Sequence, residues 1–184
     1  MKRVLLPLLL ATGVALAEGL HAASGLPVSI KWPNDLVIAP SGAVRGARKL
    51  AGILAEAQTE GSRITRVVVG FGINVRAASW PADISARVTS LEEELGRPVD
   101  AGVVLATTLS RLSTWLPRVR AGETSAVVRR WTALAVGASG APVEWTRDGA
   151  ATRGVTAGMG GDGALLVRAG GALERVAAGE VRWL

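Results

Sequence analysis

The chain opens on a long apolar run whose larger side chains recur at helical spacing. The pattern predicts a helix from about Pro7 to Ser24 that ends at Gly25. Its apolar positions share one side of that helix: Leu6, Leu9, Leu10, Val14 and Ala17. Basic residues before the run, and the sequence Ala15-Leu16-Ala17 near its end, are also typical of a secretory signal peptide. This segment alone leaves a buried helix and an exported protein equally open.

The middle of the chain alternates between strand patterns and turn residues. Two short strands, Val28 to Trp32 and Leu36 to Ile38, are predicted on either side of the turn Pro33-Asn34-Asp35, and a loop at Pro40-Ser41-Gly42 follows. Two longer strands, Lys49 to Gln58 and Ile64 to Val75, are joined by a turn at Glu60-Gly61-Ser62. Three helices are predicted next: Ser90 to Leu95, a helix capped by Asp100 that runs to about Val119, and Thr124 to Leu134.

The pattern changes after Val136, where helical periodicity stops and glycine turns separate short alternating segments. Five strands are predicted: Val143 to Thr146, Thr152 to Ala157, Ala164 to Val167, Leu173 to Val176 and Val181 to Trp183. Short strands at this spacing predict a small β-barrel. We therefore expect an α/β (α+β) protein with two domains. Residues 1–136 hold a mixed β-sheet with packed helices, and residues 137–184 form the barrel.

Composition narrows the possible chemistry. The 184 residues are 49% hydrophobic and 20% charged, which is typical of a globular protein. The absence of cysteine excludes disulfides and thiolate metal sites, and the single His21 argues against a histidine metal cluster or a Ser-His-Asp triad. The net charge of +6 is scattered except at Arg45, Arg48 and Lys49. Without a nucleic-acid-binding motif, it favours an anionic ligand only slightly over a solvated surface.

Three segments carry candidate chemistry: Lys31 to Leu36, Lys49 to Leu54, and Gly70 to Val75. Singly, each has an ordinary explanation as a turn, a solvated strand end or a bulge. Read together, they offer ten residues that could form a site, of which one is a lysine, one a carboxylate, two are amides, three are glycines and three are apolar: Lys49, Asp35, Asn34, Asn74, Gly52, Gly70, Gly72, Ile53, Leu54 and Ile73. Such a set suits an anionic, partly apolar small molecule, because glycine permits close approach and lysine supplies a point charge.

In this order and spacing, the sequences KWPNDL, KLAGIL and GFGINV resemble the central motifs of the biotin protein ligase catalytic domain. The resemblance extends over most of the chain. The opening helix is similar to the family helix that leads into KWPND, which weighs against a signal peptide. The segment after residue 137 is similar to the family's small C-terminal SH3-like barrel.

The resemblance implies ATP-dependent activation of biotin to biotinyl-5'-adenylate, followed by transfer to a lysine of a biotin carboxyl carrier protein. Lys49 matches the family lysine that contacts the biotin carboxylate and the α-phosphate, and Asp35 matches an acidic residue at the nucleotide end. The implied substrate-binding residues are Asn34, Gly52, Ile53, Leu54, Gly72 and Asn74. Mg²⁺ is expected with ATP, and no protein metal site is expected. A cytoplasmic location and possible homodimers are also expected, no nucleic-acid partner is evident from the sequence, and no membrane partner is expected.

One departure from the family is large. Its members carry Ser-Thr-Asn and Gly-Arg-Gly-Arg segments upstream of KWPND, and neither is present in this sequence. We therefore expect an N-terminally truncated catalytic domain with exposed apolar surface and unpaired strand edges. An inactive remnant or a non-catalytic carrier-docking module is the main alternative, and a lipoate ligase or an exported protein is a further one.

Overall fold

A computed structural model describes residues 2–39, 42–61, 63–147, 149–177 and 179–184, with side chains from Leu5 onward. The helices in these ranges are α1 (Lys2–Ser24), α2 (Leu91–Leu95), α3 (Ala101–Arg120) and α4 (Thr124–Leu134). The strands are β1 (Val28–Lys31), β2 (Asp35–Ile38), β3 (Arg48–Glu60), β4 (Arg63–Ile73), β5 (Ser139–Arg147), β6 (Ala150–Met159), β7 (Leu165–Ala169), β8 (Ala172–Val176) and β9 (Val181–Trp183). Each of these helices and strands corresponds to one that the sequence pattern predicts, whereas a 3-10 helix at Ser85–Arg87 was not predicted. The predicted loop at 40–42 and the turn at 60–62 each include residues outside the described ranges.

The first sheet has the strand order β1-β2-β3-β4. Its three neighbouring strand pairs are all antiparallel, so the mixed sheet that we expected is not formed. The reason is that each strand follows the previous one through a short connection, which reverses the chain direction. Parallel contacts in the described part of the chain are limited to isolated bridges, Ile30 with Ala135 and Lys49 with Val88.

Helix α1 lies at the centre of the first domain. It packs on the inner face of the sheet and on α3 and α4, so residues 10–17 are buried all the way round rather than on one stripe. The crossing with α3 is close, because a Cβ on Gly19 would lie 2.7 Å from Thr108 Cα. Leu5–Ser24 has the length and apolarity of a membrane span, but 67% of that window is buried in the fold. A core helix accounts for its composition.

Side-chain caps begin the next two helices, and the one at Asp100 was predicted. The Ser90 hydroxyl accepts a hydrogen bond from the Glu93 backbone N–H at the start of α2. The Asp100 carboxylate accepts from the backbone N–H groups of Gly102 and Val103, at 2.7 and 3.3 Å. These side chains satisfy N–H groups that have no partner inside the helix, and so they set where α2 and α3 begin.

The second sheet is antiparallel, with the order β8-β7-β6-β5-β9. It docks on the first domain through buried contacts: the Trp32 indole N–H donates to Gly163 O at 3.2 Å. Thr156 Oγ1 donates to Gly137 O at 2.7 Å and accepts from the Ala141 N–H. These two bonds fix the chain where it enters this sheet. The boundary at residue 137 stays a prediction, and the strands that follow it begin at Ser139.

Candidate functional site

Three residues predicted for the site, Asp35, Gly52 and Gly72, lie on one face of the first sheet. Register places Lys31, Asp35, Gly52 and Gly72 in a single row across β1, β2, β3 and β4. The adjacent row turns to the helices, because side chains alternate along a strand. That row contains Ile30, Leu36, Ala51 and Ile73.

Asp35 holds two lysines on the open face. Its Oδ1 lies 2.5 Å from Lys49 Nζ, and its Oδ2 lies 3.3 Å from Lys31 Nζ. The carboxylate side chain is only 17% exposed, whereas the Lys49 side chain is 44% exposed. One carboxylate between two ammonium groups leaves a net positive charge at the surface of the row. Lys49 is therefore both positioned and accessible to an anion.

Gly52 provides the space that Lys49 occupies. A Cβ at position 52 would lie 3.1 Å from both Lys49 Cε and Lys49 Nζ, and 4.0 Å from Asp35 Oδ1. Gly70 and Gly72, on the same face of β4, have no atom within 4 Å of the position that a Cβ would take. The three glycines therefore have two uses: Gly52 admits the lysine, and the other two leave a flat, open floor.

The two asparagines of the motifs hold backbone in place. Asn34 Nδ2 donates to Ile53 O at 2.8 Å, and the Ile53 N–H donates to Asn34 O at 3.0 Å. Asn74 Nδ2 donates to Thr89 O at 3.0 Å and to Lys49 O at 3.4 Å. The amide donors that we expected to bind a ligand therefore donate to backbone carbonyl groups around Lys49 instead. Direct ligand contacts by these asparagines stay predictions.

The apolar candidates separate onto opposite faces. Ile53 is 3% exposed and belongs to the core, yet it also lines the apolar recess described below, so its predicted place in a pocket wall stays a prediction. Leu54, the next residue, is 62% exposed beside Gly70 on the open face. An apolar recess of about 250 Å³ lies next to it, lined in part by Leu9, Trp32 and Pro33. Exposed Leu54 and Val68, with β4 at the sheet edge, match the exposure that we expected.

A second, larger cavity of about 570 Å³ adjoins the lysine pair and extends to the C-terminal sheet. Four cationic residues that line it were not among those predicted for the site: Lys31, Arg45, Arg87 and Arg182. Lys31 had a usable signal, because it opens the KWPNDL motif and pairs in register with Asp35. Arg182 had none, since docking of the C-terminal sheet brings it to the cavity from the far end of the chain.

Comparison with known proteins finds a family model that matches the first part of the chain. Residues 2–74 match the model of the Biotin/lipoate A/B protein ligase family. This stretch contains α1 and the whole first sheet, and therefore the Lys31–Asp35–Lys49 row.

Two individual proteins are also similar to this chain. The bifunctional ligase/repressor BirA of Bacillus spizizenii is 39% identical over 100 residues, which cover 53% of this chain and 29% of that protein. The biotin--[acetyl-CoA-carboxylase] ligase of Paracoccus denitrificans is 27% identical over 168 residues, which cover 90% of this chain and 67% of that protein. Both relatives are ligases by name. The matched region thus spans from under a third to about two thirds of their lengths.

Solved structures agree with the sequence relatives. The crystal structure of biotin protein ligase from Aquifex aeolicus superposes with a TM-score of 0.81 at 25% identity, over 98% of this chain and 75% of that one. The same enzyme in complex with biotin and ATP gives a TM-score of 0.80 at 26% identity, over 98% and 72%. The comparisons confirm the α/β fold class and the resemblance to biotin protein ligases that the three motifs predicted.

Proposed function

We propose that this chain carries the biotin-adenylating site of a biotin protein ligase and that its reaction joins biotin to a carrier lysine. One observation supports this most directly: Asp35 holds Lys49 at 2.5 Å over the space left by Gly52, on the accessible face of the sheet. A fixed, solvent-facing cation beside a flat glycine floor suits two anions that must approach each other. The relatives named above supply the chemical identity of those anions.

The first step is attack of a biotin carboxylate oxygen on the α-phosphorus of ATP. The new O–P bond forms biotinyl-adenylate as the bond to the bridging oxygen breaks and pyrophosphate leaves. Two negative groups meet in this step, so neutralisation and positioning are the protein's main contributions. Lys49 lies where it can contact both anions, and Asp35 keeps its ammonium group in place. The recess beside Leu54 and Trp32 suits the apolar part of biotin.

Mg²⁺ accompanies the triphosphate in this proposal. Where the structure is described, no group of three or more His, Asp or Glu side chains is placed to hold a metal ion. Asp35, the carboxylate of the row, has both oxygens engaged by lysines. The protein side chains therefore fit a Mg²⁺ ion held mainly by phosphate oxygens and water, as is usual for this cation with nucleotides.

The second step joins biotin to its protein partner. The ε-amine of a lysine on a biotin carboxyl carrier domain attacks the acyl carbon of the mixed anhydride. The amide bond forms, AMP leaves, and the amine loses a proton. The open face of β3 and β4 gives a carrier loop access to the row. A cytoplasmic location and pairing of two copies remain part of the proposal, the latter testable by light scattering after gel filtration.

Biotin-dependent ATP–pyrophosphate exchange by the purified 184-residue chain tests the adenylation step. We expect Lys49→Ala to lower exchange at least about 100-fold, because an electrostatic contact with the transition state is lost. Arg129→Ala, a change of an exposed cation on α4, is the matched control and should leave exchange unchanged. Circular dichroism establishes that each variant is folded. Replacing biotin with lipoate distinguishes the two activities covered by the family model.

A folded chain that exchanges nothing with either acid contradicts the adenylation proposal. One observation already favours that alternative, a non-catalytic carrier-docking module: the glycine floor at Gly70 and Gly72 has no covering atom within contact distance in the described structure. Binding of a biotin carboxyl carrier domain without exchange would support this second function. Exchange that needs biotin and disappears in Lys49→Ala would exclude it.

A further inference from the structure

We propose that Arg45 binds the pyrophosphate end of ATP in the cavity between the two sheets. This inference rests on the proposed adenylation function and extends it to a residue outside the three motifs. Arg45 lies in the connection between β2 and β3, and it lines the same cavity of about 570 Å³ as Lys31, Asp35 and Lys49. The cavity thus begins at the adenylating lysine and continues to an arginine.

The position of the cavity beside Lys49 supports this proposal. In the proposed reaction the α-phosphate lies at Lys49, so the two phosphates that leave must extend away from it. On one side Lys49 adjoins Gly52, and the apolar recess that suits biotin shares no lining residue with the cavity. The cavity lined by Arg45 and Arg87 adjoins Lys49 as well, and its cationic side chains provide the charge that an anionic leaving group requires.

The charge of the cavity wall also supports the proposal. Five cationic side chains line the cavity, against the carboxylates of Asp35 and Glu180: Lys31, Arg45, Lys49, Arg87 and Arg182. An excess of cations around a small, concave volume favours a compact polyanion. A guanidinium group also matches phosphate oxygens in a two-bond geometry that a lysine cannot provide.

The existing partners of these cations single out Arg45. Asp35 contacts both lysines, and Glu144 lies 3.3 Å from Arg182. Arg87 donates to the Asp83 backbone carbonyl at 2.9 Å. Among the residues that the structure describes, Arg45 makes no ion pair or side-chain hydrogen bond, so its donors are available to a ligand. Binding there breaks no existing interaction.

Local structure holds Arg45 at the wall of the cavity. The Ala47 N–H donates to Val44 O at 3.0 Å, which closes a turn around Arg45 and Gly46. Gly46 has a φ of 78°, a left-handed conformation that glycine adopts without strain. Val44 packs so closely on Gly137 that a Cβ there would lie 2.0 Å from its methyl group. Arg45 is therefore attached to a turn anchored between the two sheets.

Calorimetric titration of the full chain with inorganic pyrophosphate at constant ionic strength is the direct test. We expect Arg45→Gln to raise the Kd for pyrophosphate about tenfold, as loss of a charge-assisted hydrogen bond predicts. Arg45→Lys should recover part of the affinity. Arg129→Gln removes an equal charge from a remote surface and should leave the Kd unchanged. In the exchange assay, the KM for pyrophosphate should rise in Arg45→Gln while the KM for biotin does not.

The outcomes separate this inference from the function on which it rests. Biotin-dependent exchange with an unchanged pyrophosphate Kd in Arg45→Gln overturns the role of Arg45 and leaves the adenylation proposal intact. Pyrophosphate binding that needs Arg45, in a folded chain without exchange, supports the cavity and contradicts adenylation. Equal weakening by Arg45→Gln and Arg129→Gln reflects overall surface charge and also overturns the inference.

Discussion

The two faces of the first sheet are built from the same strands and differ in almost every physical property. The inner face presents Ile30, Leu36 and Ala51 to α1, and each is almost completely buried. The outer face presents Lys31, Asp35 and Gly52 at the paired positions, one residue along each strand. A shift of a single residue along a strand thus separates the hydrophobic core from the candidate site.

This difference separates stability from chemistry. On the inner face, burial of apolar area stabilises the fold, and the exact identity of a side chain matters through its volume. On the outer face, little area is buried, and a small displacement of Lys49 matters through charge and distance. Substitutions on the two faces should therefore affect different measurements. Two predictions test that separation, and a third concerns the C-terminal sheet.

The largest expected effect on stability belongs to the inner face. Leu36→Ala should lower the free energy of unfolding by about 2–5 kcal/mol, because it leaves a cavity in the core beside α1. Leu54→Ala is the matched change on the outer face, where the leucine is exposed, and should cost less than about 0.5 kcal/mol. Urea unfolding followed by circular dichroism measures both. Equal losses of stability in the two variants would contradict the division between the faces.

The substitution Gly52→Ala is expected to have an effect of intermediate size, which changes activity but not stability. In Gly52→Ala the new methyl group competes with the Lys49 ammonium group for the same space. Because the end of the lysine is flexible, we expect it to move away from Asp35 and exchange to fall about 10-fold or more. The unfolding midpoint should stay within error of the wild type, since alanine is not disfavoured relative to glycine in a strand.

Gly161→Ala provides the control for that experiment. Gly161 lies in a turn of the C-terminal sheet, and a Cβ there meets no atom within 4 Å. This variant should retain both stability and exchange. Wild-type exchange by Gly52→Ala would show that the position of Lys49 is less constrained than its contact with Asp35 indicates. A large loss of stability in Gly52→Ala would place Gly52 with the structural residues instead.

The smallest expected effect is a pH dependence in the C-terminal sheet. A hydrogen bond from Arg153, together with the charge of Arg182, lowers the pKa of Glu144 from its ordinary value of 4.5. A lowered carboxyl pKa contributes stability above pH 4.5, and this contribution is lost as the pH falls through the pKa of the folded state. Glu144→Gln should therefore be slightly less stable than wild type at pH 7 and equal to it at strongly acid pH. Thermal unfolding at both pH values measures this, and a difference that grows in acid would contradict the sign.

Much of the fold followed from local patterns. The ends of α4 agree with the prediction, and the cap at Asp100 is formed as expected. Alternation and glycine turns located all nine strands to within a few residues. Helix starts, helix ends and strand periods depend on neighbours in the sequence, so a sequence can specify them without knowledge of the fold. Strand direction was harder, and the first sheet is antiparallel where a mixed one was expected.

The sequence by itself determined the elements, the family resemblance and the residues from which a site would be chosen. Tertiary structure decided what those residues do. Register across β2 and β3 set Gly52 beneath Lys49, and hydrogen bonds turned the amides of Asn34 and Asn74 to the backbone. Docking of the C-terminal sheet brought Arg182 into the cavity with Arg45. The physical reason is that distance and burial arise between segments far apart in the chain, and a local pattern carries no information about which segments meet.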